Sequence, residues 1–197
     1  MKRLIAFAGQ MGSGKSFAAD YLCRNFGYTR VKFASPLKDM LRTLGLTEAH
    51  IEGELKSKPC ELLCGKTPRW AMQTLGTEWG RDLIGKDLWG NIWKQRVEAL
   101  LRQNRPVVVD DCRFKDEAER VRRMGGTVVL LLDLSQKPDE THLSEIIDVS
   151  PCLSIDNTAK DSRRLIESLT STVLGIESAV LDYENNGPPQ HPRSQSD

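Results

Sequence analysis

The architecture of this chain is set by Gly9-Gln10-Met11-Gly12-Ser13-Gly14-Lys15-Ser16, which directly follows the apolar run 4–8, LIAFA. The segment fits the pattern G-x-x-x-x-G-K-[ST], a phosphate-binding loop that joins a strand to a helix. Glycines allow backbone N–H groups to close around phosphate oxygens, and the following helix points its positive end at the same anion. The pattern therefore predicts a phosphate site behind the first strand.

Two side chains complete the predicted loop. Lys15 would reach the β- and γ-phosphates of a nucleoside triphosphate, and the Ser16 hydroxyl would ligate Mg²⁺. The predicted nucleotide contacts come from Gly9, Met11, Gly12, Ser13, Gly14, Lys15 and Ser16. The alternative is a glycine-rich turn that binds nothing, and the strand before the loop and the helix after it argue against that alternative.

Length and composition predict one compact α/β domain over residues 1–183 and a disordered tail over residues 184–197. The net charge is +1, from 28 basic and 27 acidic residues, so no overall field attracts nucleic acid or a membrane. We expect neither as a partner. The five cysteines are odd in number and scattered, which indicates reduced thiols and a cytoplasmic location.

Strand and helix patterns alternate along the chain, which predicts a parallel sheet covered by helices on both faces. After the first helix, residues 28–34 read as a second strand, and Ser35-Pro36 begins an amphipathic helix. Residues 45–65 mix charged and apolar residues with glycines, which predicts an irregular, partly helical insertion.

Thr67-Pro68 predicts the start of a helix that runs to about Ile84. Its apolar stripe, expected to face the core, is Met72, Leu75, Trp79 and Leu83. A neighbouring stripe is Arg69, Gln73, Gly76 and Gly80. Each helical glycine costs roughly 1 kcal/mol relative to alanine, so something must approach this face closely. A nucleotide and a tightly packed second helix are both open as the explanation.

The apolar strand 107–109 ends in Asp110 and Asp111. A carboxylate at this edge could hold Mg²⁺ opposite Ser16, and only one of two adjacent aspartates would face the metal. Both stay candidates. Arg113 could place a guanidinium near the transferred phosphoryl group, and its alternative role is a surface ion pair. The polar segment 134–152, which contains Lys137, His142 and Glu145, could form a lid over bound phosphates.

The chain resembles the deoxynucleoside monophosphate kinases of tailed bacteriophages, a branch of the nucleoside monophosphate kinase fold. The resemblance spans about Leu4 to Val173 and rests, beyond the loop, on several short motifs. They are Phe33-Ala34-Ser35-Pro36-Leu37-Lys38, Lys66-Thr67-Pro68-Arg69, Gln73-Thr74-Leu75-Gly76-Thr77-Glu78-Trp79-Gly80-Arg81-Asp82, Asp87-Leu88-Trp89, Val109-Asp110-Asp111-Cys112-Arg113-Phe114, Glu117-Ala118-Glu119 and Thr141-His142-Leu143-Ser144-Glu145. The run 73–82 together with the run 141–145 is the most specific part.

The resemblance implies a P-loop fold of three α/β/α layers, with a helical monophosphate-binding part at about 45–105 and a lid at about 134–152. It implies transfer of the ATP γ-phosphoryl group, with Mg²⁺, to a deoxynucleoside monophosphate. Together with the loop and strand patterns, it predicts that Lys15, Arg113, Asp110 and Asp111 serve catalysis, with Ser16 and one of the two aspartates at the metal. The implied acceptor and lid residues are Arg69, Gln73, Glu78, Trp79, Arg81, Arg113, His142 and Glu145.

Two other functions stay open. One is a different small-molecule kinase of the same fold, such as a dephospho-coenzyme A kinase, and the other is an ATP switch that transfers nothing. A homodimer is also open, and a phage origin would mean the host cytoplasm. The chain departs from the adenylate kinase pattern because no arginine lies between Arg123 and Arg163. Charge neutralisation would then come from Lys15, Arg113, Arg81 or Lys137.

Overall fold

The computed structural model describes residues 3–135 and 149–174. The chain divides into two compact units: the first contains Met1–Arg30 and Arg105–Asp197, and the second is Val31–Asn104. The predicted insertion thus begins earlier than residue 45, because the helix that starts at Ser35 packs with later helices of the second unit.

Strands and helices alternate in the first unit as the sequence predicts, but the elements between residues 31 and 106 are all helical. In chain order the described elements are β1 (Leu4–Ala8), α1 (Lys15–Phe26), β2 (Thr29–Arg30), α2 (Ser35–Thr43), α3 (Glu48–Ile51), a 3₁₀ turn (Glu61–Leu63), α4 (Pro68–Thr74), a first π-helix (Leu75–Ile84), α5 (Leu88–Arg102), β3 (Val107–Val109), α6 (Lys115–Arg123), β4 (Thr127–Leu132), β5 (Leu153–Asp156), α7 (Ser162–Ser168) and a second π-helix (Leu169–Leu174).

The strands of the first unit form a parallel sheet in the order β2-β3-β1-β4-β5. The chain leaves β1 towards β2 on one side, but it leaves β3 towards β4 on the other side. The carboxyl ends of β1 and β3 therefore flank a topological switch point, which is where open α/β sheets bind ligands. The register pairs Leu4 with Val107, so the loops after both strands start at the same edge.

Helices cover both faces of this sheet. Ile5 and Phe7 of β1 belong to an apolar cluster with residues of α1 and α7. The side chain of Leu4, one residue before Ile5, points to the opposite face, where Gly126 lies between Leu4 and Val121 of α6. The first unit therefore has the predicted three α/β/α layers, and the predicted fold class is confirmed.

The second unit has its own core, and its packing shortens the second strand. The strand predicted at residues 28–34 ends at Arg30, so that prediction is wrong for its second half. The carbonyl of Val31 accepts a hydrogen bond from the indole of Trp93, at 3.0 Å, instead of joining the sheet. Phe33 stacks on the same indole with ring centroids 4.2 Å apart. Aromatic packing thus takes these residues out of the strand.

The helix predicted from residue 67 to residue 84 is wound in two ways. The Thr67 hydroxyl accepts from the N–H of Trp70, as an N-cap does, and α4 is an ordinary α-helix. From Leu75 onwards the chain is a π-helix, whose wider turn moves later side chains off the predicted stripe. Trp79 is 39% exposed and Leu83 is 77% exposed. The prediction that both face the core is therefore wrong.

Within the described residues, no helix is both long enough and apolar enough to cross a membrane. All five cysteines are free thiols.

Candidate active site

The phosphate loop is shaped by three glycines with positive φ: Gly9 at 141°, Gly12 at 82° and Gly14 at 99°. Other residues rarely adopt these angles. Residues of later strands and loops also pack closely against Gly9 and Gly14. A side chain on Gly9 would collide with the carbonyl oxygen of Leu131, and one on Gly14 would lie 2.6 Å from the side-chain nitrogen of Asn157. The glycines are therefore needed both for the turn and for the close packing behind it.

Lys15 is held over the loop by its own backbone. Its Nζ donates to the carbonyl oxygens of Gly9 and Gln10, at 2.6 Å each. Burial and the neighbouring charge of Arg113 lower the pKa of Lys15 to about 8, and the carboxylates Asp110 and Asp111 oppose that change. The structure therefore brings the four predicted catalytic residues into one electrostatic neighbourhood.

Arg30 connects the two places where magnesium ligands are predicted. Its guanidinium donates to the backbone carbonyl of Ser16 at 3.0 Å and to Asp20 at 2.7 Å, and it lies 3.6 Å from Oδ2 of Asp110. Asp110 is only 4% exposed, whereas Asp111 is half-buried. Arg30 thus places the buried carboxylate at the end of β3 beside the start of α1.

In the part of the chain that the structure describes, no group of three or more His, Cys, Asp or Glu side chains could hold a metal ion. A Mg²⁺ ion in a nucleotide site needs fewer protein ligands, because phosphate oxygens and water fill most of its six positions. One hydroxyl and one carboxylate from the protein are then enough to complete the coordination of the ion. Ser16 and a β3 aspartate are therefore a fitting donor set for magnesium bound together with a nucleotide.

Arg113 is exposed, and its backbone is fixed by a buried carboxyl group. Glu117 Oε2 accepts hydrogen bonds from the N–H groups of Arg113, at 2.8 Å, and Phe114, at 3.1 Å. Burial raises the pKa of Glu117 to about 8. Over the described ranges the Arg113 guanidinium forms no ion pair, so the surface pair considered from the sequence is not seen. The positive charge of Arg113 instead lowers the pKa of Lys15.

Sequence reasoning missed three further residues at the loop. Asn157 donates to the carbonyl of Ser13 at 3.0 Å, and Lys160 donates to the carbonyl of Gly12 at 2.7 Å. Lys160 also forms an ion pair with Asp133. Asp133 and Asn157 directly follow β4 and β5, and parallel strands end at the same edge. Polar residues just after predicted strands were therefore the available signal.

The predicted acceptor residues lie in the second unit, on α4 and the π-helix that follows it. The side chains of Arg69, Gln73, Glu78 and Trp79 are exposed, and that of Arg81 is half-buried. The Arg69 guanidinium donates through Nε to the Ser57 hydroxyl at 3.1 Å. π-Helices are rare and occur frequently at functional sites. This segment therefore offers a polar, accessible surface on an unusual backbone.

Close packing of the Trp89 indole explains one of the two glycines in this helix, the one at residue 80. A side chain on Gly80 would lie 2.6 Å from Cε2 of the Trp89 indole, whose N–H donates to the carbonyl of Gly76 at 2.7 Å. A side chain on Gly76 would make ordinary contact, 3.5 Å from Leu37. Of the two explanations left open by the sequence, helix packing therefore holds at Gly80.

The predicted lid falls largely outside the described residues, which stop at residue 135 and resume at residue 149. His142, Glu145 and Lys137 belong to that interval.

Comparison with known proteins adds family information to this geometry. Residues 64–148 match the model of the deoxynucleotide monophosphate kinase family. A protein of Acanthamoeba polyphaga mimivirus, provisionally named a deoxynucleotide monophosphate kinase, is 29% identical over 188 residues, which cover 89% of this chain and 97% of that protein. The predicted resemblance to the deoxynucleotide monophosphate kinase family is confirmed. The matched segment contains the helical stretch 68–84 and the end of β3, but not the phosphate loop.

Two further comparisons concern a viral sequence and a solved structure. The uncharacterized protein ORF76 of Ictalurid herpesvirus 1 is 30% identical over 165 residues, and the match covers 78% of this chain and 60% of that protein. The crystal structure of a sugar kinase from Janibacter sp. HTCC2649 aligns with a TM-score of 0.50 at 14% identity, covering 91% of this chain and 98% of that one. At this identity the likeness supports the fold alone.

Proposed function

We propose that this protein transfers the γ-phosphoryl group of ATP to a deoxynucleoside monophosphate, with Mg²⁺, and releases the two diphosphates. The observation that carries the proposal is the surroundings of Lys15. A half-buried lysine lies over a glycine loop, beside an exposed arginine and a buried carboxylate at the ends of two neighbouring strands. This set can bind, orient and neutralise a triphosphate.

On the donor side, the loop amides and the N-terminus of α1 bind the phosphate oxygens. Lys15 leaves the carbonyls of Gly9 and Gln10 to bind the β- and γ-phosphates. Ser16 and Asp110 hold Mg²⁺, and we choose Asp110 because Arg30 ties it to the Ser16 backbone. When bound, the metal neutralises charge that builds up between the β- and γ-phosphates.

Little covalent help is needed for phosphoryl transfer, so these residues act by position and charge. Arg113 is the natural partner of the transferred group, because it is exposed, it lies near Lys15, and Glu117 fixes its backbone. Its planar guanidinium can donate two parallel hydrogen bonds to a phosphoryl group. No side-chain nucleophile is required.

On the acceptor side, we assign the monophosphate to the exposed surface of α4 and the following π-helix. Arg69 and Arg81 supply positive charge for the phosphate, whereas Gln73, Glu78 and Trp79 supply polar and aromatic contacts for the nucleoside. His142 and Glu145 are assigned to the lid by the resemblance. The family match from residue 64 to residue 148 supports these assignments because it includes every one of these positions.

The test is a panel of the deoxy- and ribonucleoside monophosphates, each incubated with ATP and Mg²⁺ and scored for both diphosphate products. Omission of Mg²⁺ and the Lys15→Ala variant are the controls. Product from at least one deoxynucleoside monophosphate is expected. An added arm with dephospho-coenzyme A detects the other kinase activity, and ATP binding with no product from any acceptor would identify a nucleotide switch.

A cytoplasmic site of action, in the host cell if the protein is viral, is consistent with the viral relatives and stays a prediction. A phage origin and a homodimer are likewise predictions, and a nucleic-acid partner is not expected.

A further inference from the structure

Four carbonyl groups of the phosphate loop accept hydrogen bonds from side chains. Lys15 holds the carbonyls of Gly9 and Gln10, and two residues from the far end of the chain hold the next ones: Lys160 bonds the carbonyl of Gly12 and Asn157 that of Ser13. Because the peptide unit is planar and trans, fixing a carbonyl on one side points the next N–H to the other side. The bond from Asn157 therefore orients the Gly14 N–H.

Both distant donors are themselves fixed. Asn157 is 7% exposed, its backbone N–H donates to the carbonyl of Leu132 at 2.9 Å, and its amide packs against Gly14. Lys160 has the left-handed φ of 52° and is paired with Asp133, whose carboxylate also accepts from Ser135. A residue in the left-handed region is strained, and such strain persists only where the surroundings hold it in place.

We propose that Asn157 and Lys160 are positioning residues that form a carbonyl clamp, which keeps the phosphate loop shaped to receive a triphosphate. The clamp acts through the backbone, and it rests on the proposed function in that the loop binds the phosphates of ATP. A loop ordered in advance does not lose conformational entropy when the nucleotide binds, so the clamp increases affinity for ATP. It has no direct effect on the acceptor.

The test compares wild-type protein with Asn157→Leu, which keeps the side-chain volume but removes the donor, and with Lys160→Met. Lys160→Arg keeps a donor and is the rescue variant, and Lys94→Met removes a surface lysine from α5 as the matched control. Two quantities are measured: the hydrogen-exchange rates of the amides in residues 9–16 without nucleotide, and the Kd for ATP with Mg²⁺ by calorimetry.

We expect loop exchange to become about 10-fold faster and the Kd for ATP about 10-fold weaker in Asn157→Leu, which corresponds to about 1.4 kcal/mol. In Lys160→Met, loop exchange should also become faster and the Kd for ATP weaker, but by a smaller factor. Lys160→Arg and Lys94→Met should behave like wild type, and the KM for the monophosphate should not move. A general loss of structure would instead lower the melting temperature and speed exchange throughout the sheet.

Loop exchange within twofold of wild type in both Asn157→Leu and Lys160→Met would overturn the clamp, whatever their kinase activity. Because Lys160 is exposed, its variant carries the test if Asn157→Leu does not fold. Failure of the proposed function looks different: the wild-type protein would bind no ATP, while loop exchange would still depend on Asn157.

Discussion

The phosphate loop in the first unit and the helical segment 68–84 in the second unit hold their shapes by opposite means. The loop is fixed through its backbone, because glycines allow its turns and side chains hold its carbonyls from behind. In the helical segment, the indole of Trp89 fills the space at Gly80 and donates to the carbonyl of Gly76, and Met72 packs into the core of the second unit. The side chains of Arg69, Gln73 and Glu78 are exposed.

Under the proposed function, this difference separates the binding of the triphosphate from the recognition of the nucleoside. A backbone cradle binds any triphosphate, since every nucleoside triphosphate presents the same phosphate oxygens. Exposed side chains on a differently wound helix can discriminate between nucleosides, because each donor and acceptor is placed individually. The family match covers the helical segment and not the loop, which agrees with this division. The following changes test it, in order of decreasing expected effect.

Lys15→Ala should lower kcat by about 100- to 1,000-fold, because one preorganised charge on the transferred phosphates is lost. The melting temperature should change little, since among the described residues the Lys15 ammonium donates to carbonyls of its own loop. Lys94→Ala, on the surface of α5, is the matched control for removing a lysine. Initial rates with saturating substrates provide the measurement, and wild-type turnover in Lys15→Ala would remove the loop from the mechanism.

Arg69→Ala should raise the KM for the monophosphate by about 10- to 100-fold, because a hydrogen bond from a charged group is worth about 1.5–3 kcal/mol. The KM for ATP should stay within about twofold. Arg102→Ala, at the end of α5 in the same unit, should leave both constants unchanged. Steady-state kinetics with each substrate varied in turn separates the effects, and equal changes in the two constants would contradict the acceptor assignment.

Gly80→Ala should reduce the free energy of unfolding by about 1–3 kcal/mol, because the added methyl group overlaps the rigid indole of Trp89. Gly76→Ala is a paired control on the same helix. Its methyl group makes only ordinary contact with Leu37, so the variant should be neutral or slightly more stable. Urea denaturation measures both variants. If Gly80→Ala proved as stable as Gly76→Ala, the Trp89 indole would not be what requires glycine at position 80.

Glu117→Gln should change how stability depends on pH. The pKa of Glu117 is about 8 in the folded protein, above its usual value, so the folded state binds the proton more tightly than the unfolded state. Wild-type stability from this group is therefore fully present below the usual glutamate pKa and falls as pH rises towards 8. The neutral glutamine keeps an acceptor for the N–H groups of Arg113 and Phe114.

Between pH 5 and pH 8 we expect wild type to lose about 3 kcal/mol relative to Glu117→Gln, because the pKa of Glu117 lies several units above its usual value. Denaturation curves of the two proteins at several pH values provide the measurement. Parallel stability profiles would mean that this carboxyl group does not retain its proton in the folded state.

The same contrast explains what the sequence could predict. The loop was predictable because its pattern constrains φ angles and amide directions locally, and Lys15 and Ser16 follow within the same turn. The end of β3 was predictable because a buried apolar run must stop at the sheet edge. The course of the first helix was predictable for a similar reason, since Gly27 ends it in the left-handed conformation.

Other features depend on distant contacts. The carbonyl of Val31 leaves the strand because Trp93, 62 residues later, donates to it. The π-helix was not predictable from a 3.6-residue period, and Leu83 is consequently exposed instead of buried. Asn157 and Lys160 reach the loop from 144 and 148 residues away. No local sequence pattern predicts contacts between residues so far apart in the chain. The positions of these two residues after β5 do indicate that they lie at the edge of the sheet where the loop lies.

Two neighbouring indoles, of Trp79 in this segment and Trp89 in α5, give the second unit an intrinsic optical probe. Trp79 is partly open to solvent and its ring lies 6.1 Å from that of buried Trp89, at a tilt of 47°. At that separation the excited states of the two rings are coupled. A nucleobase that covers Trp79 would alter both the emission and the near-ultraviolet circular dichroism of the pair. Acceptor binding can thus be followed in unlabelled protein, with Trp79→Phe as the silent reference.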